Sequence, residues 1–273
     1  MIGGVGITTE ISEMRFELPA ALLIGASSAA MAECVSSSPQ PTLVQFNTSG
    51  VLVLTPNSAN SSLAFTKLTK AGDAIWVAVT VPNNPSGPFS ISVTDSQGNT
   101  FKKLNQVNDG PPGNQTVAHF VATNIWGDVT TPDKITVHWP SDNYKGVIIA
   151  EVSGASGAAV LEGNNARVMD GVVGPGTGDA RSYSWTGKPN TLILAVSMNT
   201  YGGCSDQGGT GQPGPGAGTG FTNQLKTWAT SDCPSIQLAT FETKISNATG
   251  NINGAFDSGS GTNYYATVAA GFN

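Results

Sequence analysis

The chain has 273 residues, of which 39% are hydrophobic and 11% are charged, and its formal net charge is −6. Soluble proteins usually carry about 25% charged residues, so neutral polar side chains must supply most of the solubility here. The sequence has no run of Lys and Arg. A negative chain without a basic stripe is poorly suited to nucleic acid or an anionic membrane, so we expect neither as a partner. The composition favours an extracellular or virion-surface location.

Residues 1–40 are predicted to form an N-terminal arm or helix outside the globular body. An apolar stretch rich in Ala, Ser and Gly, 18–32, is too short for a membrane-spanning helix, so no membrane span is expected. We interpret this segment as an arm that packs on a neighbouring subunit. The side chains assigned to that contact are Phe16, Leu18, Leu22, Leu23 and Ile24.

The same segment has a second interpretation as a secretory signal. Residues 14–32 begin with Met14 and end in Ala-Met-Ala, which is typical of a signal-peptidase site. Cleavage would then leave Glu33 as the first residue. Glu17 and Pro19 interrupt the apolar region, and this favours the arm.

From Val51 onward the hydrophobic periodicity is mostly two, which predicts β-strands, and residues 41–273 are assigned to one β-sandwich domain. The clearest example is 74–81, AIWVAVTV, which reads as a strand buried on both faces. Turn-forming Gly, Pro, Asn and Asp lie between the strands. We therefore predict an all-β fold: a single antiparallel β-sandwich, jelly-roll or Ig-like, with an N-terminal extension. Strands at 89–94 and from residue 101 onward are predicted to form a hairpin around the turn residues 95–100. Further strands are predicted at 116–122, 134–139, 146–152, 191–197, 236–244 and 264–272.

A long Gly-rich loop is predicted at 202–220, which contains nine glycines. Cys204 and Cys233 flank much of this loop. They either form a disulfide, which would contribute about 3 kcal/mol if unstrained, or are two unrelated thiols. Cys34 is interpreted as an unpaired thiol.

Four short motifs occur in a recognisable order. They are Gly-Asp before the strand at 74–81, Val-Thr-Asp-Ser-Gln-Gly-Asn-Thr at 93–100, Glu-Val-Ser-Gly at 151–154, and Gly-Thr-Gly-Phe-Thr at 218–222. This order resembles a recurrent β-sandwich module of bacterial secreted, multidomain and phage-associated proteins, generally without an assigned activity. The resemblance covers roughly residues 60–273. It implies the fold and an extracytoplasmic or virion setting, and it supplies no catalytic residue.

Catalytic motifs are missing from the sequence. There is no Gly-x-Ser-x-Gly elbow, His-Glu-x-x-His helix or P-loop. His119 and His138 lie in predicted strands and are interpreted as structural. Asp73 and Asp95 are expected to cap turns, and Glu151 to hydrogen-bond to a neighbouring loop. We predict a non-enzymatic protein without catalytic, cofactor-binding or metal-binding residues.

Two weaker binding features remain open. Asp142 with Asn143, and separately Asp206, provide oxygen ligands of the kind that calcium prefers. Trp185 and Tyr201 border Gly-rich segments and are the aromatic residues predicted to contact a glycan, whereas Trp76 is predicted to be core.

These observations lead to two functional hypotheses. The first is a non-enzymatic structural or decorating subunit of an extracellular assembly, a phage virion or a surface appendage. Its partners would be other copies of itself or a capsid or appendage protein, contacted through the N-terminal arm. The alternative is a secreted carbohydrate-binding or adhesion module.

Overall fold

The chain divides into two units, Met1–Ser36 and Ser37–Asn273. The computed structural model describes residues of the second unit, and the residues assigned to the arm lie outside the described part. The described residues are 40–49, 58–81, 90–109, 115–142, 146–154, 159–173, 179–181, 185–201, 216–217, 220–228, 237–247, 250–252, 255–257 and 261–273.

The described residues form β-strands and no helix, and the strands pair antiparallel. The prediction of an all-β, antiparallel chain is confirmed. The first eight strands are β1 (Thr42–Thr48), β2 (Ser58–Ala64), β3 (Ala74–Val81), β4 (Ser92–Asp95), β5 (Lys102–Asp109), β6 (Gln115–Thr123), β7 (Lys134–Asp142) and β8 (Gly146–Ser153). The others are β9 (Leu161–Val173), β10 (Asp179–Arg181), β11 (Trp185–Gly187), β12 (Thr191–Tyr201), β13 (Gly216–Ala217), β14 (Thr222–Trp228), β15 (Gln237–Ser246), β16 (Gly250–Ile252), β17 (Ala255–Asp257) and β18 (Gly261–Phe272).

The sheet topology occurs twice along the chain. The first eight strands form a five-stranded sheet of order β1-β8-β3-β6-β5 and a three-stranded sheet of order β2-β7-β4. Later strands form the corresponding sheets, β9-β18-β12-β15-β14 and β10-β17-β13. Among the described strands, the short β11-β16 ribbon is found in the second half alone. We call these halves the first and the second repeat.

β-Bulges support this equivalence because they fall at matching places. The ladder of β1 with β8 has one extra residue, Val44, and the ladder of β9 with β18 has one extra residue, Glu162. On the other side of each sheet, Leu104 is the extra residue of β5 and Gln224 that of β14. A bulge is a specific feature of a ladder, so two matched pairs indicate an internal duplication.

The turns that enter the central strands also correspond. Gly72 before β3 and Asn190 before β12 both have positive φ, 90° and 64°. Each turn receives a hydrogen bond from the start of the other repeat. Gln40 Nε2 donates to Asn190 Oδ1 at 3.2 Å, and the Ala159 N–H donates to the Gly72 carbonyl at 3.2 Å.

A hydrophobic core lies between the two five-stranded sheets and contains Trp76 and Phe241 with rings 5.9 Å apart. Phe46 packs edge-on against Phe241 at 5.4 Å. A second core lies between the first five-stranded sheet and the β2-β7-β4 sheet. Because β3 contributes alternate residues to each core, its continuous apolar run is buried on both faces, as the sequence predicts.

Most predicted strands are present. The strand predicted at 74–81 has these bounds in β3, and Trp76 is fully buried core. The strand predicted from residue 101 onward is β5, but the hairpin predicted between it and the strand at 89–94 is wrong. β4 pairs with β7 in the three-stranded sheet, whereas β5 pairs with β6 in the five-stranded sheet, so the turn at 96–101 crosses between the layers. The other confirmed predictions are β6, β7, β8, β12, β15 and β18, with ends shifted by up to a few residues, and β4, for which residues 82–89 lie outside the described part. Within the predicted loop 202–220, Gly216–Ala217 forms β13 and pairs with β17.

Candidate functional site

Three connections meet at one end of the first repeat. They are β2–β3 (residues 65–73), β4–β5 (96–101) and β6–β7 (124–133), and each runs from one sheet of this repeat to the other. Antiparallel topology therefore places all three at the same edge of the layers. We call this region the three-loop end.

Backbone hydrogen bonds fasten the β6–β7 connection to the β2–β3 connection. The Gly72 N–H donates to the Ile125 carbonyl and the Ile125 N–H donates to the Asp73 carbonyl, both at 3.0 Å. Further along, the Asp128 N–H donates to the Thr69 carbonyl at 2.9 Å. Ile125 is 2% exposed and anchors the connection in the second core.

The carboxylate of Asp128 strengthens the same junction. Its Oδ2 accepts hydrogen bonds from the Thr69 N–H at 2.8 Å, from Thr69 Oγ1 at 2.9 Å and from the Asp133 N–H at 2.8 Å. One carboxylate oxygen thus holds the end of its own connection and the neighbouring connection. Charge-assisted hydrogen bonds of this kind are stronger than neutral ones.

Asp95 and Asn99 fasten the β4–β5 connection. Asp95 Oδ1 accepts from the Asn99 N–H at 2.9 Å and Asp95 Oδ2 from Asn99 Nδ2 at 2.6 Å, so the predicted turn cap at Asp95 is confirmed. Asn99 Oδ1 in turn accepts from the Trp126 N–H at 2.9 Å. This relay fixes the backbone of Trp126.

Asp133 is a buried acid, 0% exposed, that closes the β6–β7 connection. Its Oδ1 accepts from the Ser96 N–H at 3.1 Å and from Ser96 Oγ at 2.7 Å. Burial, assisted by the nearby carboxylates of Asp95 and Asp128, raises the pKa of Asp133 to about 6.

Asp73 and Glu151 form a second buried acid pair, 1% and 0% exposed. Their side chains hydrogen-bond to each other, which requires one shared proton. Burial raises the pKa of both carboxyl groups. The other partners of Glu151 are the Lys70 N–H at 2.8 Å and Gln45 Nε2 at 2.6 Å.

The predicted roles of these two acids have different outcomes. The bond from Lys70 to Glu151 confirms the predicted link to a neighbouring loop. Asp73 does not fit the predicted turn cap, because its buried carboxyl group faces Glu151 and Ser153. The Asp residue that follows a turn points inward here, where a second acid lies on the adjacent strand β8.

The second repeat shows that the shared fold does not require this acid pair. The β15–β17 connection, 247–254, contains no acidic or aromatic residue, unlike the β6–β7 connection. The acidic side chains and the exposed Trp126 of the β6–β7 connection therefore have no counterpart in the β15–β17 connection. The matched ladders place Gly163, Thr191 and Gly271 at the positions equivalent to Gln45, Asp73 and Glu151.

Large apolar side chains are exposed at the three-loop end. Trp126 is 77% exposed, Val129 86% and Leu68 45%. Gly127, with φ of 72°, allows a close approach, since a Cβ there would lie 2.3 Å from the Ala71 nitrogen. The connection therefore packs backbone against backbone and presents the indole of Trp126 to solvent.

The sequence pattern does not single out Trp126 as a ligand-contact residue. Trp185 and Tyr201 are favoured as glycan contacts because they border Gly-rich segments. Trp126 instead follows a buried Ile in a short loop. The usable sequence signal is Ile-Trp-Gly at 125–127. Ile125 anchors the loop in the core, Gly127 allows the backbone to turn, and the Trp between them is exposed to solvent.

Both histidines have the structural role that the sequence predicts. His119 is buried, accepts a hydrogen bond from Trp76 Nε1 at 3.2 Å, and has its pKa lowered to about 3 by burial. His138 bridges two strands through Thr94 Oγ1 at 2.9 Å and Asn60 Oδ1 at 2.8 Å. His119 is thus held neutral, and His138 is fixed within the three-stranded sheet.

Other predicted sites fall wholly or partly outside the described residues. Trp185 begins β11 opposite Ile252, and Tyr201 ends β12 opposite Asn263, but the description does not extend to these two side chains. Residues outside the described part include Cys204, Cys233, Asn143, Asp206 and the arm residues Phe16, Leu18, Leu22, Leu23 and Ile24, and the side chain of Asp142 is likewise not described.

Among the described residues, no group of three or more His, Cys, Asp or Glu side chains is arranged to hold a metal ion. The calcium sites stay predictions. In the same part of the chain, no helix has the length and hydropathy needed to cross a bilayer.

No protein-family model, curated protein or solved structure matches this chain.

Proposed function

We propose that the chain is a non-enzymatic structural or decorating subunit of an extracellular assembly, a phage virion or a surface appendage. The observation that carries this proposal is that its buried acids hold loops in place. Asp133 and Glu151 are closed to solvent, and each holds a neighbouring loop through hydrogen bonds. Catalytic acids need access to substrate, so acids in this position support a scaffold.

The layers support a more specific description of the fold. Two five-stranded sheets face each other across one core, and the first repeat adds a three-stranded sheet across another. We propose a β-sandwich of the jelly-roll type in each repeat. Such a body is a rigid unit that can be repeated on a particle surface.

In this proposal the partners are other copies of the chain or a capsid or appendage protein. The N-terminal arm makes the contact through the apolar residues Leu22 and Leu23. Augmentation of a neighbour by an arm satisfies backbone groups that would otherwise be open.

Light scattering on the full chain and on two variants tests the proposal. One variant lacks residues 1–36, at the boundary between the two units, and the other carries Leu22→Asp with Leu23→Asp. Both variants should be monomeric and keep the β-sheet circular-dichroism spectrum of the parent. The full chain should be multimeric. Val44→Asp, at an exposed residue of the body, is the matched control and should stay multimeric. If light scattering gives the same number of subunits per particle for all four proteins, the assembly role is refuted.

The second candidate is a secreted carbohydrate-binding or adhesion module. The specific observation in its favour is the exposed Trp126 on a backbone fixed by Asn99. It also predicts that native protein begins at Glu33, which intact-mass measurement tests. A native chain that begins at Met1 would remove the secretory part of this candidate.

A further inference from the structure

We propose that the three-loop end binds a neutral saccharide, with the indole of Trp126 stacking on the apolar face of a sugar ring. This inference rests on the second candidate function and assigns it to a site. Trp126 is 77% exposed, which leaves most of its ring free for a ligand. An indole combines a large apolar face with an N–H donor at its edge, and a sugar ring offers an apolar face bordered by hydroxyl groups.

The backbone that carries the indole is fixed before any ligand arrives. The Trp126 N–H is bonded to Asn99, Ile125 is buried on one side, and Gly127 is packed against Ala71 on the other. A preformed site avoids the entropic cost of ordering a loop on binding. Such preorganisation serves a ligand that offers few contacts.

Neutral polar side chains are exposed on the β6–β7 connection, which carries the indole, and on the β4–β5 connection bonded to it. The carboxylate of Asp128 directs its Oδ2 to Thr69, and that of Asp95 is bonded to Asn99. Hydroxyl and amide groups donate and accept hydrogen bonds, as the hydroxyl groups of a sugar do. The exposed neutral residues of the two adjoining connections are Ser96, Gln97, Thr100, Asn124, Thr130 and Thr131.

The size of the apolar surface also favours a small ligand over a protein. A stable protein interface buries about 800 Å² on each partner around an apolar centre. The exposed large apolar side chains here are Trp126, Val129 and Leu68, on two connections. One ring with two aliphatic flanks matches one or two sugar units better than a protein surface.

Net charge argues against the phosphate-bearing alternatives. The chain carries −6 overall, and its sequence has no run of Lys and Arg that would hold a phosphate-bearing ligand. A polyanionic ligand would be repelled, whereas an uncharged saccharide is not.

Isothermal titration of the full chain with maltohexaose, cellohexaose and chitohexaose tests the proposal. We expect saturable binding of at least one of them, with one site per chain. Trp126→Ala should weaken it by about tenfold or more, and Trp126→Phe, which keeps a ring, by only about threefold. Thermal unfolding of each variant should match the parent protein, since the side chain makes little contact with the body.

Each other result overturns the inference in a distinguishable way. Binding that survives Trp126→Ala but is lost in Trp185→Ala or Tyr201→Ala would contradict this site and preserve the second candidate. Failure of all three saccharides to bind would contradict both and leave the assembly role intact. Self-association that depends on Trp126, without saccharide binding, would identify the surface as a contact between copies and also refute the proposal.

Discussion

The carboxyl groups of Asp73 and Glu151 hydrogen-bond to each other inside the protein, although both are acids. One of the pair must keep its proton, and burial raises both pKa values. Glu151 also accepts hydrogen bonds from Gln45 and from the Lys70 backbone. The pair therefore joins the β2–β3 connection, through Asp73 and Lys70, to β8, and Gln45 links β8 to β1.

The two members of the pair should respond oppositely to amide substitution. Asp73→Asn supplies an N–H for the bond to Glu151 and leaves one buried acid in place of two, so the free energy of unfolding at pH 7 should be unchanged or higher. Glu151→Gln places a donor against Gln45 or against the Lys70 N–H, and should cost about 1–3 kcal/mol. Urea unfolding of both variants measures the difference. Equal losses would contradict the shared proton.

Asp133 should make stability depend on pH in a defined direction. Its pKa is raised from 3.8 to about 6, so the folded state binds the proton more tightly than the unfolded state. This contribution is fully present below about pH 3.8 and is lost as the pH rises through about 6. Asp133→Asn should remove that part of the slope. At pH 7.5 the variant should gain up to about 3 kcal/mol, because each pKa unit corresponds to about 1.4 kcal/mol.

Urea titrations at pH 4, 5, 6 and 7 on both proteins measure this effect. The amide introduced by Asp133→Asn can still accept from Ser96, and it faces the carboxylates that disfavour an ionised Asp133. The difference between variant and parent should grow from pH 4 to pH 7. A constant difference would show that Asp133 does not titrate in this range.

Gly127 should be far less tolerant of a side chain than Gly98. Both have positive φ, 72° and 79°, so Ala carries a similar backbone cost of about 1–2 kcal/mol at each. At Gly127 the new Cβ would also lie 2.3 Å from the Ala71 nitrogen, whereas at Gly98 no atom lies within 4 Å. Gly127→Ala should therefore lower the unfolding midpoint well below that of Gly98→Ala. Equal midpoints would mean that the two loops are not packed together.

Phe241 should be essential to the core shared by the repeats. It is 0% exposed and contacts the rings of Trp76 and Phe46. Phe241→Ala should cost about 3–5 kcal/mol, whereas Val129→Ala, at a residue 86% exposed, should change stability by less than about 0.5 kcal/mol. A loss of less than about 1 kcal/mol in Phe241→Ala would contradict a core shared by the two sheets.

The sequence predicts the central strands well because they are buried on two faces. Residues 74–79 form an unbroken apolar run, and the alternate side chains of β3 enter different cores. The periodicity does not predict β1 and β9, since they lie at sheet edges and each carries a bulge that breaks the alternation. It does not predict the repeat either. The two halves share their strand order and the positions of their bulges, whereas the amino acids at equivalent positions differ.

Part of the candidate site is predictable and part is not. Asp95 and Asn99 follow turn chemistry, so their local bond could be expected from sequence. Asp73 and Glu151 are far apart in the chain, and their meeting depends on the register of β3 with β8. The exposure of Trp126 has a local signal in the buried Ile125 before it and Gly127 after it, whereas its place beside two other connections depends on how the sheets pack.

Backbone hydrogen exchange at Trp126 and Asp128 tests most directly the claim that the three-loop end is a rigid binding surface held by its own polar groups. Both N–H groups donate to another connection, to Asn99 Oδ1 and to the Thr69 carbonyl. We predict slow exchange at both amides in the parent protein, and in Asn99→Ala fast exchange at Trp126 with Asp128 still protected. Fast exchange at both amides in the parent protein would contradict the account.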